Sequence, residues 1–402
     1  MTIEPGAATL TFAARAARLT GSEIDSSTSL LQRQTHDIVR LAMGSPAAEA
    51  IPSAVLGAIA GDIYADGAPA FDYGPTEGEA GLLDQLERFT GTARRRLLVT
   101  AGGMQGLDLV CKLFVDPGDV VAVEAPTYTN GSATIASYEG SLLEVPVDEE
   151  GLVVDALAEL GDSLPRPPKM IYTIPTFQNP SGKTLSLRRR EELLALAERW
   201  GSVVLEDDPY GRLAFDGAPP PSLVSLSDEA PWVVGVQTFS KIVAPGLRCG
   251  WIEAAPAVIE RMIDAKQCMD TCTNVPAQLL MERFLALGEM DAHLERLRTI
   301  YRRRREAMMA SLASSLGPLG ATWTNPGGGF FTWVTFPPPI DTRELFEAAL
   351  VAGVAYIPGD AFATAPGLSD SLRLCFASCT SARAELGVAR LRDAIVSKYD
   401  LV

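Results

Sequence analysis

The chain has 402 residues, 47% of them hydrophobic and 21% charged, a balance suited to a globular protein long enough for two domains. Its 50 acidic residues against 34 basic ones leave a formal charge of −16. Nucleic acid and anionic membranes select net basic surfaces, so neither is an expected partner, while an anionic ligand in a locally basic pocket stays open.

The first 27 residues carry two alanine-flanked arginines but no apolar core of signal-peptide length. No apolar run approaches a membrane span. Six cysteines are scattered along the chain, as expected of reduced thiols in the cytoplasm rather than of a disulfide framework. Cys268/Cys272 and Cys375/Cys379 have C-x3-C spacing, not the C-x2-C of a zinc knuckle, and no metal site is expected.

From Leu97 to Val236, short β-rich runs alternate with helical patterns at the spacing of parallel α/β units. The expected strands are RRLLVT (95–100), VVAVEA (120–125), SLLEVPV (141–147), KMIYTIP (169–175), SVVLEDD (202–208) and WVVGVQT (232–238). Helices are expected at GMQGLDLVCKLF (103–114) and LRRREELLALAERWG (187–201). Several strands are nearly continuous apolar runs, as a sheet covered on both faces requires, so a doubly wound sheet with ligands at its carboxyl edge is expected. Beyond Trp251 come a long arginine-rich helix (290–316), read as a solvated bridge between domains, a hairpin (321–336), a helix (343–354) and a strand (371–379). That order suggests a smaller α+β domain packed on the first. The division expected is an N-terminal arm and part of the small domain at 1–47, a large domain at 48–290 and the rest of the small domain at 291–402.

Histidine occurs only at 36 and 293, both in polar, helical contexts, and no H-E-x-x-H or G-x-S-x-G pattern is present. Lysine occurs six times. Lys112, Lys169, Lys183, Lys266 and Lys398 fall in helices, turns or the tail, where solvation explains them. Lys241 differs, because it follows the apolar strand WVVGVQT at the edge where such a sheet presents ligands. A desolvated lysine there has a lowered pKa and can act as an amine nucleophile, which points to Schiff-base chemistry.

Four other stretches converge on that edge. VTAGGMQGLDLV runs from strand through glycines into a helix start able to hold a phosphate. PTFQNPSGKT sets Asn179 in a turn held by Pro180 and Gly182. VLEDDPYGRL ends a strand on Asp207 and Asp208, followed by Tyr210. DSLRLCFAS puts Arg373 inside an apolar strand, where an unpaired charge is costly and an anion is the expected partner.

The ordered motifs YGPTEG, AGGMQG, APTY, NPSG, DDPY, SKIVAPGLR, PGGGFFTW, YIPGDAF and RLCF resemble those of the fold type I, class I/II aminotransferases that use pyridoxal 5′-phosphate (PLP). The nearest branch is that of the 2-aminoadipate/kynurenine aminotransferases. The resemblance runs from about residue 44 to residue 377. It implies an aspartate aminotransferase-like α/β fold and a homodimer with shared active sites. It also implies ping-pong transfer of an amino group from an L-amino acid to a 2-oxo acid through an aldimine on Lys241. By the same resemblance Asp207 would pair with the pyridine nitrogen, Asn179 and Tyr210 would bond the ring oxygen, and Tyr128 would stack on the ring. Gly103, Met104, Thr238, Ser240 and Arg248 would hold the phosphate, and Arg373 the substrate carboxylate. Gly44 and Tyr73 would line the substrate side, Tyr73 reaching in from a partner subunit. Gly103-Met104 depart from the serine and glutamine common in relatives, which leaves backbone amides to compensate. Two rivals stand beside this reading. One is a PLP enzyme of the same fold acting as an oxidase, decarboxylase or lyase. The other is the sensing half of a transcription regulator, disfavoured by the acidic charge and the roughly forty residues ahead of the fold.

Overall fold

The apolar runs become the middle of one eight-stranded sheet in the computed structural model, which describes residues 11–19, 21, 36–227 and 230–401. Most of the N-terminal stretch read above for a leader lies outside the described residues. The strand order is Leu97–Thr100, Gly250–Glu253, Val233–Thr238, Val203–Asp207, Met170–Thr173, Val120–Ala125, Ser141–Asp148 and Gly151–Leu152. The run from Val233–Thr238 to Ser141–Asp148 is parallel throughout. Gly250–Glu253, which the sequence reading did not draw, inserts antiparallel between the first expected strand and the last.

The two-residue pleat sorts side chains to opposite faces. Val203 and Leu205 join the core that contains Leu107 and Val110 of helix Gly103–Phe114 and Ile259 of helix Pro256–Gln267. Val204 joins Leu193 and Ala197 of helix Leu187–Trp200 on the other side. That last helix starts on Ser186, whose side chain accepts from Arg189 N, and stops at Gly201 with φ 66°. By the same alternation Asp207 faces helix Gly103–Phe114, while Glu206 and Asp208 face away.

A four-stranded antiparallel sheet orders Thr322–Trp323, Phe331–Thr335, Ser371–Cys375 and Ile357–Pro358. Val39–Arg40 pairs parallel with Val354–Ala355. Helices Met290–Ser315 and Ser381–Tyr399 pack together through Leu312, Leu391 and Ile395. The arginine face of the long helix is not simply solvated, as expected above. Arg304 is buried and donates to Ala377 O and Glu49, and Arg305 bonds Asp216 and Pro326 O. Its cationic heads reach carbonyls and carboxylates on four segments far apart in sequence, which the helix sequence alone does not reveal. His36 also departs from expectation: it is outside any helix, with Nε2 2.9 Å from Leu350 O. No helix among the described residues is long and apolar enough to cross a membrane.

Candidate active site

At the carboxyl edge of the parallel strands lies a cavity of about 310 Å³. It is lined by Gly44, Gly103, Met104, Tyr128, Asn179, Asp207, Tyr210, Thr238, Ser240, Lys241, Arg248 and Arg373, all singled out above. Tyr73 does not line it: its side chain is 84% exposed on the surface.

Lys241 enters from the loop after strand Val233–Thr238 and donates from Nζ to Gly44 O at 2.7 Å. Burial, aided by Arg373, pushes its ammonium down to about 8, although Cys375 and Asp207 favour the charged form. Asp207, buried at the end of its strand, is pushed up to about 7, chiefly by desolvation. Tyr172 opposes that shift by donating its hydroxyl to Asp207 Oδ2 at 3.0 Å. Tyr210 packs edge-on against Phe331, 5.8 Å between ring centres, and burial holds its phenol well above its usual range.

Arg373 is 1% exposed. One terminal nitrogen donates to Asn179 Oδ1 at 2.8 Å and the other to Ala42 O at 2.6 Å. The guanidinium lies 4.1 Å from the centre of the Phe331 ring, and burial lowers its pKa to about 10. Its Nε has no protein partner. A buried donor left in that state is expected to meet an anion brought by a ligand.

Another part of the lining is a cup for a second anion. Helix Gly103–Phe114 opens there with free amides, its first turn set by Gly102 at φ 83°. Thr238 Oγ1 and Ser240 Oγ lie 2.9 Å apart, and Arg248, itself at φ 50°, reaches Ala101 O at 3.2 Å. A Cβ on Gly102 would come within 2.8 Å of the Arg248 guanidinium, so glycine serves both the backbone angle and the close approach. The cavity thus offers an anion cup, an amine of lowered pKa, a buried carboxylate and a second anion-binding arginine in one space.

Sequence reading missed the groups that hold these in place. Tyr172 orients Asp207. Glu124, 2% exposed, accepts from Thr173 Oγ1 at 2.6 Å and Gln178 Nε2 at 3.0 Å. Gln178 also donates to Pro126 O at 2.6 Å and accepts from Ser181 N at 2.8 Å. This clamp joins the loop that carries Tyr128 to the turn that carries Asn179. The QNPS order was a usable signal for Gln178, whereas Glu124 lies in another strand with nothing local to mark it.

The family model of aminotransferase class I and II matches residues 36–391. The chain is 37% identical over 394 residues to aromatic-amino-acid aminotransferase 1 of Thermococcus litoralis, covering 96% of this chain and 94% of that one. It is 36% identical over 395 residues to 2-aminoadipate transaminase of Thermus thermophilus, covering 97% and 98%. The crystal structure of kynurenine aminotransferase from Pyrococcus horikoshii in complex with PMP matches with a TM-score of 0.90 at 37% identity, over 97% of this chain and 98% of that one.

Proposed function

The chain belongs to the class I and II aminotransferases, and from that membership and the site geometry we propose how its residues divide the work of a PLP-dependent transaminase. The reaction moves an amino group from an amino acid to a 2-oxo acid. The residues present fit the cofactor: the cup suits a phosphate dianion, Asp207 a protonated ring nitrogen, and Lys241 an aldehyde. When bound, PLP supplies an aldehyde that links to an amine and a ring that takes up the electron pair released at the amino acid's α-carbon.

Gly103 and Met104 amides, Thr238, Ser240 and Arg248 hold the phosphate. Asp207 keeps the ring nitrogen protonated, oriented by Tyr172. Tyr128 would cover a ring face, and Asn179 and Tyr210 would bond the ring oxygen. Arg373 clamps the α-carboxylate through its fork, using the unpartnered Nε. Once PLP is bound, Lys241 Nζ would be the base that takes the proton from the substrate's α-carbon and later gives it back, so no histidine is required. The observation that carries this reading is an amine of lowered pKa sharing a cavity with Asp207 and the unpartnered edge of Arg373.

A homodimer is part of the proposal. Tyr64 and Phe71 stack at 5.6 Å on the surface, Phe71 two residues before the exposed Tyr73 in sequence, an apolar group suited to a second copy whose cavity Tyr73 would complete. The division at residues 48–290 and 291–402, with the arm at 1–47, is supported by the separate eight- and four-stranded sheets. A cytoplasmic location is supported by six unpaired thiols.

The test is Arg373→Lys, which keeps the charge and loses the fork. The kcat/KM for amino donors should fall roughly tenfold to hundredfold, the worth of a charge-assisted hydrogen bond. Amines that lack a carboxylate should be unaffected. An equal loss on both kinds of donor would remove Arg373 from carboxylate recognition.

A further inference from the structure

Lys266, expected from sequence to be solvated, has a completely buried side chain near the end of helix Pro256–Gln267. Its Nζ donates to Asp270 Oδ1 at 2.8 Å. The other carboxylate oxygen, Asp270 Oδ2, accepts from Gln105 Nε2 at 2.6 Å. Gln105 Oε1 in turn accepts from Ala101 N at 2.7 Å, and Ala101 O accepts from Arg248 at 3.2 Å. These bonds run unbroken from a buried ammonium to the strand–helix turn of the anion cup.

An isolated lysine–aspartate pair four residues apart on a surface stabilises little. Here the pair fixes the side-chain amide of Gln105, and the amide fixes the Ala101–Gly102 backbone from which the free amides of Gly103 and Met104 follow. We propose that Gln105, Asp270 and Lys266 form a positioning relay that sets the cup to receive the cofactor phosphate. They would take the place of side-chain donors that Gly103 and Met104 do not offer. Lys266 has a second effect: it neutralises the Asp270 carboxylate, which would otherwise repel a dianion. The proposal rests on the reading of residues 103, 104, 238, 240 and 248 as the phosphate site.

The test compares binding of PLP and of pyridoxal, which lacks the phosphate, to apo-protein by fluorescence quenching. Gln105→Met keeps side-chain volume at a partly exposed position, and Asp270→Ala breaks the relay one step further back. Both should lose about tenfold of the preference for PLP over pyridoxal, as loss of an outer hydrogen-bond partner does at other ligand sites. Affinity for pyridoxal should hold in both, and the apo-protein melting temperature should hold in Gln105→Met, whereas Asp270→Ala, which strips the buried Lys266 ammonium of its partner, should melt lower. Gln105→Glu, which sets a carboxylate against Asp270, should lose more than Gln105→Met. A parallel weakening toward both ligands overturns the relay, because it marks a general structural defect. Unchanged preference in these variants, with preference lost in Arg248→Met, also overturns it while sparing the phosphate reading. Unchanged preference in Arg248→Met removes the phosphate reading and the relay with it.

Discussion

Replacing Lys241 by alanine is expected to lower kcat roughly 10⁴-fold, the upper end of what one positioned proton-transfer group contributes, because the same amine also links the cofactor. The loss should not be a folding defect. Burial depresses the Lys241 pKa to about 8, below the roughly 10.4 of a solvated lysine, so its charged form opposes folding. A base depressed in the folded state contributes stability that is lost as pH falls through its folded value. The alanine variant escapes that loss, so below pH 8 its apo-protein should melt no lower than the parent. The same shift sets the pH dependence of cofactor capture by the parent apo-protein. The amine is neutral above its pKa, so the capture rate should climb toward about pH 8 and then level off. A rate still rising near pH 10, measured by stopped-flow absorbance, would mean a lysine of ordinary basicity.

Asp207→Asn is the second large expected effect. The carboxylate ends strand Val203–Asp207 on the face of helix Gly103–Phe114, and Tyr172 already satisfies Oδ2 at 3.0 Å. Asparagine can still accept from Tyr172 but brings no charge to oppose a protonated ring nitrogen. Truncating one member of a buried charge pair costs about 2–5 kcal/mol, so kcat should fall by roughly 30-fold to 4,000-fold. Dialysis against phosphate should also strip PLP from the variant faster than from the parent. A variant that keeps both its cofactor and its turnover would place the ring nitrogen elsewhere.

Much of this site was legible because its chemistry sits in short, ordered motifs at strand ends. Valine-rich strands buried on both faces announce themselves by composition, and the residue that follows each one must lie at the sheet's edge. Lys241, Asp207 and Asn179 were found in that way. Strand Gly250–Glu253 was not, since four residues after a loop carry no period and its pairing is decided by neighbours far away in sequence. Lys266 was misjudged for a similar reason. Its helix looks polar, but its partner Asp270 lies beyond the helix end, and the other partner of Asp270, Gln105, is 165 residues away. Tyr172 and Glu124 belong to the same class: they are strand residues whose roles exist only once a side chain from another strand or loop meets them. Tyr73 lies at the opposite extreme, recognisable in its motif yet exposed in the single chain.

The most direct test is to add single L-amino acids, without oxygen or acceptor, to the purified PLP-loaded protein and follow its absorbance. Transamination predicts that the visible band of the lysine-bound cofactor bleaches and that the matching 2-oxo acid appears in equal amount, with no ammonia or carbon dioxide. Adding a 2-oxo acid should then restore the band. Bleaching only when oxygen is readmitted, or release of ammonia or carbon dioxide without a stored amino group, would contradict transamination and identify a different reaction on the same scaffold.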